Sequence, residues 1–268
     1  MRRGCAIELN KIYNEDNISL ITRMPDDFID LTVTSPPYDN LRDYKGYTFD
    51  FETLAKELYR VTKPGGVVVW VVGDATVNGS ETGTSFRQAL KFMDLGFNLH
   101  DTMIYSKGGQ GATGSNKAYW QDFEYMFVLV KEKIKYFNPI EDRRNVVKPR
   151  RRMESQGHRL KNGETKGQRI IERKEYGRRM NIWTYHESGT RTDHPAVFPI
   201  QLAKDHIISW SDKGDLVFDP FMGSGTTAVA ALDVDRKYIG AEIAKEYVDI
   251  ANERIKNHTT QTELFDYM

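Results

Sequence analysis

The chain is expected to fold as an α/β domain built on a mostly parallel sheet, interrupted once by a basic insert. Three observations point there. Apolar, strand-like runs alternate with segments of helical period along most of the chain. One of the runs, Val67-Val68-Val69-Trp70-Val71-Val72, is apolar at every position, as a strand covered by helices on both faces must be. A glycine turn, Gly223-Ser224-Gly225, separates an apolar run from a helical one, the pattern of a βα unit in an open sheet.

In chain order, Ile29 to Thr34 reads as a buried strand. Phe51 to Val61 places apolar residues at helical spacing and is closed by the turn Lys63-Pro64-Gly65-Gly66. Gly66 opens the all-apolar strand. A second helix is expected over Ser85 to Leu95, a short strand over Met103-Ile104-Tyr105 and another over Tyr125 to Val130. After the basic segment the pattern resumes with Leu216-Val217-Phe218, a helix from Thr226 to Asp233 and a strand over Lys237 to Glu242. No internal repeat is visible.

Composition narrows the function classes. With 268 residues and 39% hydrophobic content the chain buries a sizeable core and fits one large domain carrying an insert. No apolar run reaches the length of about 18 residues that a membrane span needs, and Met1-Arg2-Arg3-Gly4-Cys5 lacks a secretory core. A cytoplasmic protein without membrane partners is expected. The single cysteine, Cys5, cannot form an internal disulfide, and the six histidines show no zinc spacing, so no metal is expected. The net charge of zero hides an asymmetry: residues 141 to 180 hold 14 Lys/Arg against six Asp/Glu, while the rest of the chain holds 24 against 32. Such a run is often a solvated surface or a disordered loop; beside a nucleobase site it suits contact with a polyanion.

Two loops carry the chemistry. Thr34-Ser35-Pro36-Pro37-Tyr38 follows a buried strand. Alone it is also a plain stiff turn, but its residue types suit a planar amine: Ser35 offers a side-chain oxygen, Pro36 a carbonyl, the prolines restrict the backbone, and Tyr38 offers a ring for stacking. An exocyclic amine on cytosine or adenine is a poor nucleophile because its lone pair is delocalised into the ring, and it is unreachable inside a duplex, so the base must be flipped out. The second loop, Asp219-Pro220-Phe221-Met222-Gly223-Ser224-Gly225-Thr226-Thr227, lacks the lysine of a triphosphate-binding loop. Glu242, at the end of the next strand, stands where an acid accepts from ribose hydroxyls. A nucleoside without phosphate, such as S-adenosyl-L-methionine, fits this set.

Taken together, the loops resemble those of beta-class DNA amino-methyltransferases. Ser35-Pro36-Pro37-Tyr38 is similar to that family's catalytic [DNS]-P-P-[YFW] motif, and residues 219 to 227 to its D-P-F-x-G-S-G-T-T cofactor signature. His194-Pro195-Ala196-Val197-Phe198-Pro199 resembles the motif that lies against the methionine of the cofactor. Tyr13-Asn14-Glu15-Asp16 resembles the strand end near the adenine, with Glu15 where glycine is usual. The resemblance implies a Rossmann-like methyltransferase fold: a seven-stranded, mostly parallel sheet with an antiparallel hairpin strand, circularly permuted so that the family's third and fourth strands come first and its first and second last. It divides the chain into a catalytic half (1–134), a target-recognition insert (135–190), a cofactor-binding half (191–258) and a tail (259–268).

The resemblance implies Ser35, Pro36, Pro37 and Tyr38 as catalytic residues. It implies Asp16, His194, Pro195, Asp219, Pro220, Phe221, Gly223, Ser224, Gly225, Thr226, Thr227 and Glu242 as the S-adenosyl-L-methionine site. Arg143, Arg144, Lys148, Arg150, Arg151 and Arg152 are the candidates for contact with double-stranded DNA. The expected activity is site-specific methylation of cytosine N4, to which Ser35 leans by resemblance, with adenine N6 as the alternative and an RNA methyltransferase, a protein-amide methyltransferase or a non-catalytic regulator as further readings. The residue types alone suit either amine. His186, His194 and His206 read as packing or capping groups, and Trp70 and Trp210 as core; Trp120 and Trp183 flank loops, touching DNA or merely anchoring them. The tail holds Gln261, Leu264 and Phe265 in a spacing similar to peptides that bind the bacterial sliding clamp, or alternatively folded back on the protein.

Overall fold

The structure, a computed structural model, describes residues 7–37, 50–109, 117–146, 151–154, 169–172, 174–185 and 199–266, of which 151–154, 169–172 and 261–266 are described by their backbone alone. Two compact units are present: one comprises the chain up to Asn138 and from Asn181 onward, the other Pro139–Met180. The first unit opens with β1 (Lys11–Tyr13), α1 (Asn17–Ile21), β2 (Ile29–Thr34), α2 (Phe51–Val61), β3 (Thr62–Val72), the small hairpin β4 (Thr76–Val77) and β5 (Ser80–Glu81), α3 (Thr84–Asp94), β6 (Phe97–Ser106) and β7 (Phe123–Lys131). The second unit holds β8 (Arg143–Arg144), β9 (Arg151–Glu154), β10 (Arg169–Glu172) and β11 (Tyr176–Gly177), paired antiparallel as β8 with β11 and β9 with β10. The first unit resumes with β12 (Ile182–Thr184), α4 (Ile200–Trp210), β13 (Leu216–Asp219), α5 (Thr226–Leu232), β14 (Lys237–Ala241) and α6 (Lys245–Asp266).

The main sheet has eight strands in the order β1-β14-β13-β2-β3-β7-β6-β12. Only β7 opposes the rest, pairing antiparallel with both β3 and β6. The last two strands in the chain, β13 and β14, stand between the first two, β1 and β2, which is the permuted order expected. The strand beyond the expected seven is β12, which adds to β6 with Ile182 opposite Ile104. At three residues it is too short to show a period, and only Trp183 points inward, nearly buried against His206 at 4.6 Å between ring centroids.

Local chemistry explains the elements. Asp16 and Asp50 cap α1 and α2 by accepting from backbone N–H groups two or three residues on. Asp74, just past β3, accepts from Ser85 N at 3.0 Å in the first turn of α3. Helices α1 to α3 bury Leu20, Ile21, Leu54, Leu58 and Phe92 against Val68, Trp70, Val72, Phe127 and Leu129 of the sheet. On the opposite face α4 buries Leu202, His206 and Ile207, with His206 Nε2 at 3.1 Å from Met126 Sδ. His206 also accepts from Trp210 Nε1 at 3.1 Å, a packing role, and Trp70 and Trp210 are core.

Two differences from expectation stand out. The Lys63-Pro64-Gly65-Gly66 turn does not end the ladder, because β3 starts at Thr62 and passes through it with a register shift opposite Ile29 to Leu31 and with Gly65 at φ +80°. The tail, expected as a separate segment from residue 259, continues the last helix: α6 runs on to Asp266, so Gln261, Leu264 and Phe265 lie on helical backbone. Among the described residues no helix is long and apolar enough to cross a membrane.

Candidate active site

Strands β2 and β13 are parallel neighbours, with Val217 opposite Leu31 and Phe218 opposite Thr32. Their carboxyl ends therefore lie side by side, and each carries one of the loops singled out in the sequence. A buried carboxylate joins them. Thr34, the residue before Ser35, donates its hydroxyl to Asp219 Oδ1 at 2.7 Å, and Thr227, in the first turn of α5, donates to Oδ2 at 2.7 Å. Phe221 N adds a third donor to Oδ1 at 3.0 Å. Asp219 is wholly enclosed, and burial pushes its carboxyl up to about 6; the hydrogen bonds from Thr227, Thr34 and Phe221 oppose that rise, and the nearby Glu242 charge adds to it.

The loop from Pro220 to Gly225 is held from two more sides. Glu242, just past β14, accepts from Gly223 N through Oε2 at 2.9 Å and from Ala244 N through Oε1 at 2.8 Å. Its carboxyl is raised by burial, against these same bonds. Each oxygen retains a further lone pair for a ligand hydroxyl. From α6, Arg254 donates to Ser224 O at 2.6 Å and to Ser224 Oγ at 2.8 Å. Among the described residues Arg254 has no carboxylate partner, and burial lowers its pKa. Sequence reasoning missed it, since it stands 30 residues from Ser224 in sequence and in no motif; the available signal was the helical spacing from Ala251, which packs on the same loop.

That packing gives Gly225 a different role from the one its type suggests. A Cβ there would lie 2.9 Å from Ala251 Cβ, and its φ is +84°. Gly225 is thus required for the left-handed turn and for the close seat of α6. Thr226 and Ser224 are buried. Near β1, Asn14 Nδ2 donates to the carbonyls of Glu242 and Ile243 at 2.9 and 3.0 Å. Asp16 Oδ1 accepts from Ile18 N and Ser19 N, and next to it the buried Asn17 Oδ1 has no hydrogen-bond partner among the described residues. The ends of β1, β14, β13 and β2 thus gather Asp16, Asn17, Glu242, the glycine loop and Ser35-Pro36-Pro37 at one edge of the sheet, the ligand side of an open α/β fold.

Tyr38, His194, Pro195, Lys148 and Arg150 lie outside the described residues, and Arg151 and Arg152 are placed by backbone alone, in β9. In the second unit Arg143 Nε donates to Arg178 O at 2.9 Å, while Arg144 is largely exposed and 3.8 Å from Glu175.

The sequence matches the family described as DNA methylase (N6_N4_Mtase) over residues 29–253. The orphan methyltransferase M.BamHII of Bacillus amyloliquefaciens is 57% identical over 240 residues, covering 86% of this chain and 89% of that protein. The type II methyltransferase M.BglII of Bacillus subtilis is 30% identical over 270 residues, covering 96% and 72%. Among solved structures, TTHA0409 of Thermus thermophilus, complexed with S-adenosyl-L-methionine, superposes with a TM-score of 0.63 at 25% identity over 92% of this chain and 93% of that one. The cytosine-N4-specific PvuII DNA methyltransferase gives 0.67 at 20% identity over 94% and 91%, a likeness of fold.

Proposed function

The chain belongs to the DNA methylase family, as an S-adenosyl-L-methionine-dependent methyltransferase, and from that premise we propose that it methylates cytosine N4 of a base flipped out of a specific site in double-stranded DNA. The observation that carries the reading is the Thr34 to Asp219 to Thr227 bridge. It ties Thr34, the residue before Ser35, to the strand end from which the loop at Pro220 begins. The donor set suits the cofactor: Asp16, Asn17 and Glu242 are acceptors for amine and hydroxyl hydrogens, and Asn17 Oδ1 is a buried acceptor that no described residue satisfies.

The bound cofactor supplies an electrophilic methyl group on a sulfonium. In the proposed mechanism Ser35 Oγ and the Pro36 carbonyl accept the two amine hydrogens, which localises the nitrogen lone pair and turns it towards the methyl; Tyr38 stacks on the base. After transfer of the methyl to the nitrogen, the spare amine proton would leave to solvent through Ser35. Asp219 touches none of the reacting atoms; it keeps the two loops at a fixed separation, the main requirement for an in-line transfer. Ser35 supports cytosine through its resemblance to N4 enzymes, and the basic segment supports a nucleic acid over a protein substrate.

The test is nucleoside mass spectrometry of DNA from cells expressing the protein, followed by modification-aware sequencing. N4-methylcytosine at one sequence is expected. N6-methyladenine would overturn the choice of base, and label transferred only to RNA or protein in parallel assays would overturn the substrate.

A further inference from the structure

Of the four tryptophans, Trp70, Trp183 and Trp210 are buried, whereas Trp120 is 67% exposed and its neighbour Tyr119 is 99% exposed. Among the described residues neither ring has an aromatic, hydrogen-bond or cationic partner. Such a pair is unusual, because aromatic rings that large normally cover core or interface.

The chain around them is nevertheless fixed. Asp122 O accepts from Lys107 N at 2.8 Å, and its carboxylate accepts from Gly109 N at 2.8 Å and from Ser106 Oγ at 3.3 Å, which ties the ends of β6 and β7 together. Gln121 Nε2 donates to Asp74 O at 3.3 Å, just past β3. The rings therefore project from an anchored root.

Register places that root at the active-site end of the sheet. β7 opposes β3, so it begins where β2 and β3 finish; Thr34 is opposite Trp70, and Val72 opposite Tyr125. β7 begins at Phe123, opposite Ser106, so Trp120, three residues earlier in the chain, lies beyond the end of the ladder, on the side where β2 and β3 finish.

Extracting a base leaves its neighbours and its former partner unstacked, a cost that enzymes offset by inserting or stacking a side chain. We propose that Tyr119 and Trp120 form a stacking platform for the bases exposed when the target is flipped out. The proposal rests on the DNA reading above. The pair acts on the opened duplex, apart from the amine chemistry at Ser35.

The test compares methylation of two duplexes carrying the sequence found by modification mapping, one intact and one with an abasic site opposite the target, where opening is already easy. In Tyr119→Ala with Trp120→Ala, kcat/KM on the intact duplex should fall roughly ten- to hundredfold, the range expected from losing one or two base stacks, and on the abasic duplex by less than threefold. Trp120→Phe should recover most of the loss, and S-adenosyl-L-methionine binding, by calorimetry, should not change. Equal losses on both duplexes, or no loss on either, would overturn the platform. A second readout does not need methylation: acrylamide quenching of Trp120 fluorescence, taken as wild type minus Trp120→Phe, should be suppressed by duplex DNA containing a mismatch. Suppression in a protein that methylates neither base would overturn the proposed chemistry and keep the platform; persistent quenching would overturn the platform whatever the chemistry.

Discussion

Asp219 shows how one side chain couples both halves of the site. Its folded pKa of about 6 lies above the ordinary value of 3.8 because burial disfavours the charged form, so the native state holds a proton that the unfolded chain releases. The stability this carboxyl contributes is complete below about pH 4 and is lost as pH rises through about 6. Relative to Asp219→Asn, wild-type stability measured by urea unfolding should fall between those pH values by at most about 3 kcal/mol, from 1.36 kcal/mol per unit; a difference independent of pH would contradict the assignment. Thr34→Val removes a donor that lowers this pKa, so the same transition should move to higher pH. Arg254 makes a separate prediction. Arg254→Ala should raise KM for S-adenosyl-L-methionine roughly tenfold, the scale of one charge-assisted hydrogen bond, while kcat stays within about threefold and Arg254→Lys recovers part of the loss. A fall in kcat alone would show that Arg254 does not act through the cofactor loop.

At the scale of elements, the glycine loop is a helix seat as well as the proposed cofactor cradle. Gly225→Ala puts a Cβ 2.9 Å from Ala251 Cβ and forces a non-glycine residue to φ +84°, so it should destabilise the fold by about 1–3 kcal/mol. Differential scanning calorimetry of Gly225→Ala with Ala251→Gly should return the contact part and leave the backbone part; unchanged melting in the single variant would refute the packing role. This shows what a sequence can and cannot disclose. The strands β2, β3, β13 and β14 were readable as apolar runs next to turns or glycines, and the helices α2, α3 and α5 from their helical spacing. The strand β12 was not, because Ile182-Trp183-Thr184 becomes a strand only by pairing with β6. Likewise Ser35 and Asp219 were visible as motif residues, whereas Arg254 and the role of Ala251 arise from tertiary contacts between segments that no local pattern relates. The tail's backbone was not readable for a similar reason: a Gln-x-x-Leu-Phe spacing fixes no backbone conformation, and α6 continues through it.

For the whole molecule, the proposed site and the basic segment are divided between the two units. Ser35, Asp219, Gly223 and Glu242 all belong to the first, whereas Pro139–Met180 holds the basic segment, in which residues 141 to 180 carry 14 cations against six acids. Some of those cations hold the unit together: Lys174 pairs with Glu141 at 2.6 Å, Arg179 with Asp142, and Arg143 with the Arg178 carbonyl. Their loss would confuse folding with binding, so they are poor probes of DNA contact. Arg150, Arg151 and Arg152 are the better choice. Each phosphate neutralised adds about 0.9 to the slope of log affinity against log salt. If all three meet phosphates, replacing them with glutamine should flatten that slope by about 2.7, with cofactor affinity unchanged because both loops lie in the other unit. Titrations of a labelled duplex between low and physiological salt measure the slope directly. A slope equal to wild type, with the variant folded, would return the segment to a solvated surface and leave duplex binding to the first unit, whose net charge is negative; that alternative is electrostatically unfavourable, because an acidic surface repels the phosphate backbone at every separation within a Debye length of about 8 Å.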